Sequence, residues 1–153
     1  MKSKKMWRYK CDFCGKWGGS KYHMTHHECR CTMNPSRECG VCAWKQRLWG
    51  DCIQRTMVEL LTVIGDRAAF IKKSDEWGDT FDEDALGIVL GKLREFTDNC
   101  PACILAAFRQ SNILLYGVGG FNFKSEMESV LSDLRADQGE RDYARDYGGS
   151  TRG

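Results

Sequence analysis

The chain has 153 residues, of which 42% are hydrophobic and 29% are charged. This is the composition of a folded globular protein, and the length suits one compact domain or a small module fused to a modest one, which excludes a large multidomain enzyme. The net charge of +2 conceals an asymmetry: residues 1–55 hold 12 Lys/Arg and 4 Asp/Glu, whereas residues 56–153 hold 11 and 17. The basic half suits an anionic partner, or attraction to the acidic half.

The sequence carries no signal for export or membrane insertion. The basic start, MKSKKMWRYK, is not followed by the apolar segment of a secretory signal, and the apolar runs fall short of the roughly 18 residues of a membrane span. We therefore expect a cytoplasmic protein with no membrane partner and no small-molecule substrate. In a reducing compartment nine cysteines, an odd number, favour metal ligation over disulfides.

The first ten residues form a basic arm with interleaved aromatic residues. This composition allows phosphate contact and base stacking, although a solvated tail whose rings pack on the next module has the same composition. The residues predicted to contact nucleic acid are Lys2, Lys4, Lys5, Trp7, Arg8 and Lys10.

The stretch from Cys11 to Cys42 holds six of the nine cysteines and all three histidines. Zinc prefers four Cys or His ligands, and a Cys-x-x-Cys turn lets both sulfurs reach one ion. We therefore predict two zinc ions, with an iron–sulfur cluster as the alternative metal centre. The predicted ligands are Cys11, Cys14, His27, Cys29, Cys31, Cys39, Cys42, Cys100 and Cys103, which leaves Cys52 unassigned.

Three arrangements of these ligands are open. The first is one site made of Cys11, Cys14, His27 and Cys31, with the spacing Cys-x2-Cys-x12-His-x3-Cys. The second joins Cys11/Cys14 to Cys39/Cys42 and leaves Cys29/Cys31, Cys100/Cys103 and His27 for another site. In the third, two antiparallel helices return the chain so that Cys100/Cys103 meets the edge of the zinc module near Cys39.

Residues 9–45 resemble zinc-finger modules of the CCHC and treble-clef types. Tyr9 and Met24 occupy the aromatic and leucine positions of the two-cysteine, two-histidine finger, and Gly18 stands where its second aromatic residue belongs. The run Cys11–Lys16, CDFCGK, resembles the zinc knuckle of treble clefs. The resemblance implies a zinc-stabilised module that contacts nucleic acid or protein.

Two enzymatic interpretations are weaker. The same stretch is similar to zinc-braced His-Me finger endonucleases, in which a histidine activates water beside a divalent cation. The family's Asp is replaced here by Thr25 or Glu28, and its Asn by Ala43. The Cys-Pro-Ala-Cys run ending at Cys103 suits a thioredoxin-like redox pair, but that pair needs a preceding strand and residues 81–96 have helical periodicity.

The remaining pattern predicts a mainly α fold with about four helices and a small zinc-braced α+β module at the N-terminus. Apolar periodicity predicts one helix over 41–64. Capping boxes at 80–83 and 125–128 predict two more, and Asp98 or Asn99 would cap a helix starting at Cys100. The class of 112–116 is open. The predicted divisions are a basic zinc module (1–42), a helical domain packed on it (43–137) and a polar tail (138–153), mobile by itself.

Together these patterns predict a non-enzymatic, zinc-stabilised interaction protein that binds nucleic acid through its basic N-terminal half. One alternative is a structural component of a larger assembly such as a phage or virus particle, which would place it within a virion. The other is an endonuclease of the His-Me finger type.

Overall fold

The computed structural model describes residues 7–50, 52–72, 80–113 and 118–147. This part of the chain is mainly helical, as predicted, although its six α-helices exceed the expected four. The helices are α1 (Lys21–Arg30), α2 (Gly40–Trp49), α3 (Met57–Ile64), α4 (Glu83–Phe96), α5 (Pro101–Gln110) and α6 (Phe123–Tyr147). Two short antiparallel sheets pair β1 (Tyr9–Lys10) with β2 (Trp17–Gly18), and β3 (Ile71–Lys72) with β4 (Thr80–Phe81), and a 3-10 turn spans Arg67–Phe70.

The N-terminal module is a ββα unit with its own small core. Ser20 caps α1 by accepting a hydrogen bond from the backbone N–H of His23. Met24 is buried on the inner face of α1, and a Cβ added at Gly18 would clash with its sulfur. Met24 thus fills the space beside Gly18, which explains why a residue without a side chain stands there.

The prediction of a single helix over 41–64 is wrong, because two separate helices, α2 and α3, occupy this range. Gly50 ends α2 with φ of +80°, a left-handed conformation that glycine adopts without steric cost. Thr56 then begins α3 with a capping box, in which its hydroxyl accepts from the Glu59 N–H and the Glu59 carboxylate accepts from the Thr56 N–H. Both signals are visible in the sequence, but apolar periodicity concealed them.

Three other helix starts differ from the prediction. Asp82, rather than Thr80, caps α4, and its pKa is lowered because the carboxylate accepts the N–H of Ala85. Cys100 itself caps α5, while Asp98 and Asn99 take positive φ angles of 50° before it. The start of α6 lies ahead of the predicted box, with Asn122 accepting the Ser125 N–H. The helix then continues beyond residue 137 to Tyr147, and residues 114–116 of the unassigned run lie outside the described ranges.

The main core lies among α3, α4 and α5, and α6 packs across α5 and α2. Its most deeply buried large side chains are Leu60, Leu86, Leu93, Ile104 and Phe108. Arg94 of α4 donates two hydrogen bonds of 2.8 Å to the Glu126 carboxylate, which ties α4 to α6. Within the described ranges, none of the helices combines the length and the apolar character that crossing a membrane requires.

Ala substitutions at two glycines, Gly50 at the end of α2 and Gly91 inside α4, should change the free energy of unfolding in opposite directions. Replacing Gly50 by Ala should lower the free energy of unfolding by about 1–2 kcal/mol, since an L-residue is strained at positive φ. Gly91→Ala should raise it by about 1 kcal/mol, because Gly91 lies inside α4 and an added Cβ meets nothing within 4 Å. Urea unfolding of both variants measures the two changes. Equal signs would contradict the assigned end of α2.

Candidate metal centres

Two groups of Cys and His side chains converge in the described part of the chain, and each could hold a metal ion. They are Cys11, Cys14, His27 and Cys31, and Cys39, Cys42, Cys100 and Cys103. The ligand atoms of each group all lie within 4.8 Å of one another. Sulfurs bound tetrahedrally to zinc at about 2.3 Å are about 3.8 Å apart, so both groups can close around one ion. All nine cysteines are free thiols.

The first group, called the finger cluster below, is assembled by the ββα unit. The turn between β1 and β2 supplies two cysteines and is closed by the Gly15 N–H, which donates to the Cys11 carbonyl at 2.9 Å. The last turn of α1 supplies His27, whose Nε2 lies 3.2 Å from Cys14 Sγ, and Cys31 follows at the helix end. This is the first of the three predicted arrangements.

The protonation of the finger cluster suits metal binding. The pKa of Cys14 is lowered to about 6, chiefly because its sulfur accepts the backbone N–H of Lys16 and also because His27 lies beside it. Burial raises the pKa of Cys31 to about 11. A thiolate is therefore available at neutral pH at the exposed edge of the cluster, and a cation would be needed to hold the second sulfur ionised.

The second group, called the buried cluster below, joins two helix starts. Cys39 Sγ lies 3.5 Å from Cys100 Sγ, and Cys42 Sγ lies 3.6 Å from Cys103 Sγ. All four cysteines are at most 2% exposed. The sulfur separations exceed the length of a disulfide, about 2.05 Å, and match a shared tetrahedral ion. This grouping is the third predicted arrangement, in which Cys100/Cys103 meets the chain near Cys39. The second arrangement, which joined Cys11/Cys14 to Cys39/Cys42, does not occur.

The surroundings of the buried cluster favour negatively charged sulfur. The positive ends of α2 and α5 both face it, since Cys39 and Cys100 are their N-caps. Arg37 Nη1 lies 3.9 Å from Cys103 Sγ as a hydrogen-bond donor. The pKa of Cys39 is lowered because the thiols of Cys100, Cys103 and Cys42 donate to it. Hydrogen bonds within the cluster, together with burial, raise the pKa of Cys42 and that of Cys100, so a cation is needed to ionise all four sulfurs. Four thiolates around a divalent ion carry a net charge of −2, which these donors and helix ends offset.

Cys29 lies in neither group, although the sequence analysis counted it among the ligands. It is exposed on α1, two residues after His27, and two residues of an α-helix turn the side chain about 200° to the opposite face. Cys52 is buried beside the main core, and burial raises its pKa. His23 and His26 are exposed on α1. Their ring centroids lie 5.6 and 4.4 Å from the ring centroid of Tyr22, in edge-to-face geometry.

The two centres are held together by contacts that sequence reasoning missed. Gln110 of α5 donates to the carbonyls of Thr32 and Asn34 at 2.8 and 3.0 Å, and Arg109 donates to the Thr32 hydroxyl at 3.0 Å. The segment after α1 is thus fastened to the end of α5. No local pattern marks these partners, because almost eighty residues separate them.

Half of the predicted nucleic-acid contacts can be placed. Trp7 is 84% exposed, and Arg8 and Lys10 are also exposed on the ββα unit. The Nζ atom of Lys10 lies 5.6 Å from the ring centre of Trp17. Lys2, Lys4 and Lys5 lie outside the described residues.

Comparisons with protein-family models, with curated proteins and with solved structures find no match to this chain. The likeness to zinc-finger modules therefore rests on the two clusters and on the ββα geometry of the first one. The arrangement fits such modules in ligand type, spacing and position on the hairpin and helix.

The grouping predicts the metal stoichiometry of variants. The purified chain should carry two zinc ions, and replacing Cys100 and Cys103 together by Ser should leave one, because the buried cluster loses half of its ligands. Cys29→Ser should keep both ions, which makes it the matched control. Mass spectrometry of the native protein and elemental analysis measure the stoichiometry. Two ions in the double variant would refute the grouping.

The two centres should also lose metal at different rates. Cys14 is exposed, whereas the buried cluster is closed to solvent, so a chelator should remove the ion of the finger cluster first. We expect two phases of zinc release when a chromogenic zinc chelator is added in excess, because the same reagent then removes the metal and reports it. Cys14→Ser should abolish the fast phase alone, and loss of far-UV circular dichroism should accompany mainly the slow phase. A single phase in the native chain would argue against independent centres.

Proposed function

We propose that this chain is a zinc-stabilised nucleic-acid-binding protein that contacts its ligand through the ββα unit. The observation that carries the proposal is a solvent-facing Trp17, 57% exposed, flanked by cationic side chains on a metal-braced hairpin. Exposed aromatic rings beside Lys and Arg are the groups on which bases stack and to which phosphates bind. Zinc is the metal that suits both ligand sets.

Trp17 stands in a basic hollow. The hollow has a volume of about 270 Å³ and is lined by Arg8, Trp17, Gly18 and Gly19. Lys10 lies over the Trp17 ring. Gly19 has no side chain, and a Cβ added there would meet nothing within 4 Å, so a flat base could reach the ring past it. Stacking of a base on an exposed aromatic ring is worth about 1–3 kcal/mol.

The exposed face of α1 extends this surface. It carries Lys21, Tyr22, His23 and His26, all facing solvent. The carboxylate of Glu28, on the same helix, instead accepts the backbone N–H of Asp12 at 3.1 Å. In ββα fingers the helix enters the major groove, and basic and aromatic side chains on α1 suit that use.

The proposal does not include hydrolysis. The Nε2 atom of His27 lies 3.2 Å from Cys14 Sγ in the finger cluster, where it could bind the metal ion instead of activating water. A role in a larger assembly stays a prediction from the sequence, and nucleic-acid binding is compatible with it.

Fluorescence anisotropy with labelled 20-nucleotide single-stranded DNA, the matching RNA and duplex DNA tests the proposal. Affinity for at least one probe should fall linearly in a plot of log K against log salt. Trp17→Ala should weaken that binding about tenfold while Trp17→Phe retains most of it, since both Trp and Phe offer a stacking face.

Charge variants complete this test. Replacing Arg8 and Lys10 together by Gln should reduce the salt slope by about one per lost phosphate contact. Lys92→Gln, on the exposed face of α4, is the matched control and should leave the slope unchanged. Absence of binding to all three probes at 50 mM salt would rule out the proposed function.

A further inference from the structure

A groove that shares no lining residue with the hollow at Trp17 is not used by the proposed function. It lies where α2, α5 and α6 meet and has a volume of about 470 Å³. Its apolar floor is built from three helices and consists of Val41, Trp44, Leu105, Phe123, Met127 and Leu131. Except for Leu105, which is buried, these side chains are only half-buried, so a continuous apolar surface faces solvent. Surfaces of this kind usually mark a binding site.

The rim of the groove is basic. Arg30, Arg37 and Arg47 border it, and no Asp or Glu is found among the described residues that line it. Arg30 lies across Gly40 at the start of α2, where its Nε is 3.4 Å from the position that a Cβ would take. The three guanidinium groups come from the end of α1, the loop before α2 and the last turn of α2. Three separate segments therefore each place a positive charge on the rim of one groove.

Arg37 provides an independent pointer to an anionic ligand. Its Nε is shielded from solvent and has no hydrogen-bond acceptor within the described ranges, while its Nη1 is directed at Cys103 Sγ. Leaving a shielded donor without an acceptor costs more free energy than forming one hydrogen bond contributes to stability. A rotation of the Arg37 side chain toward the groove would let a carboxylate there supply the missing acceptor, since guanidinium groups bind carboxylates in a forked geometry.

We propose that this groove binds an acidic, amphipathic segment of a partner protein, with an apolar side chain seated on the floor and carboxylates paired to the arginine rim. Four of the six floor side chains, Val41, Leu105, Met127 and Leu131, are not aromatic. Such side chains suit apolar peptide anchors, whereas base stacking uses aromatic faces, so the floor favours a peptide. The groove holds a few side chains, which matches the short anchor of a peptide in a helical groove. This site lies apart from Trp17 and would give the chain a protein partner in addition to nucleic acid.

The experiment uses the zinc-loaded full chain and a random 12-residue peptide library displayed on phage. We expect the selected peptides to combine Leu or aromatic anchors with Asp or Glu. Synthetic labelled copies should bind in fluorescence polarisation, and scrambled copies of equal composition should bind at least tenfold more weakly. No enrichment over an unrelated zinc protein would overturn the proposal.

Two groove variants locate the binding. Arg47→Glu should weaken peptide binding at least tenfold, because it replaces a positive charge on the rim by a negative one. Met127→Ser should weaken it at least fivefold, because it removes an apolar side chain from the floor. Lys92→Glu makes the same charge change on α4, and Ile88→Ser removes an exposed apolar residue there; both should change affinity less than twofold. Retained zinc content and circular dichroism show that each variant is folded. Equal losses in the groove and control variants would show non-specific attraction and would overturn the proposal.

Other occupants give different results. If the oligonucleotide that binds best displaces the peptide, and Arg47→Glu weakens both equally, the groove belongs to the nucleic-acid surface and the proposal fails. If light scattering shows a dimer that Arg47→Glu dissociates, a second copy of this chain occupies the groove and the proposal also fails. Peptide binding that persists in Trp17→Ala would separate this site from the proposed function.

Discussion

The contact between two pairs of cysteines, 61 residues apart along the chain, is the constraint on which the fold depends. Cys39 and Cys100 are each both a helix cap and a member of the buried cluster, so one ion would set the start and direction of α2 and α5 together. A structural zinc contributes on the order of 10 kcal/mol of apparent folding free energy, as much as the whole stability of many domains. The cysteines also lie inside the main apolar core, so metal binding and core packing support the same arrangement.

The two centres differ in a way that matches different roles. The buried cluster is closed within the helical core, whereas the finger cluster has Cys14 at the surface and a small core centred on Met24. Gln110 and Arg109 fasten the segment after the finger to α5. A small ββα unit, which buries little apolar surface, is in this way presented on a rigid helical support.

The cationic side chains of both proposed binding surfaces come from the basic half of the chain. Arg8 lines the hollow beside Trp17, Lys10 lies over the Trp17 ring, and Arg30, Arg37 and Arg47 form the rim of the groove. The acidic half contributes much of the groove floor and contacts that hold the helices, including the pair between Arg94 and Glu126. Across the two halves, Lys45 of α2 pairs with Asp98 at 3.0 Å, so the charge asymmetry also contributes an attraction between them.

The sequence by itself determined the ligand types, the mainly helical class and the spacing of the finger cluster, because those ligands lie within 21 residues and one hairpin and helix bring them together. The tertiary structure decided the partner of Cys39 and Cys42, since the return of α5 to the start of α2 depends on packing of helices far apart in the chain. Helix geometry within α1 turned Cys29 away from His27, and tertiary packing assembled the groove from three helices. Periodicity detects one face of one helix, whereas a groove exists only where several faces meet.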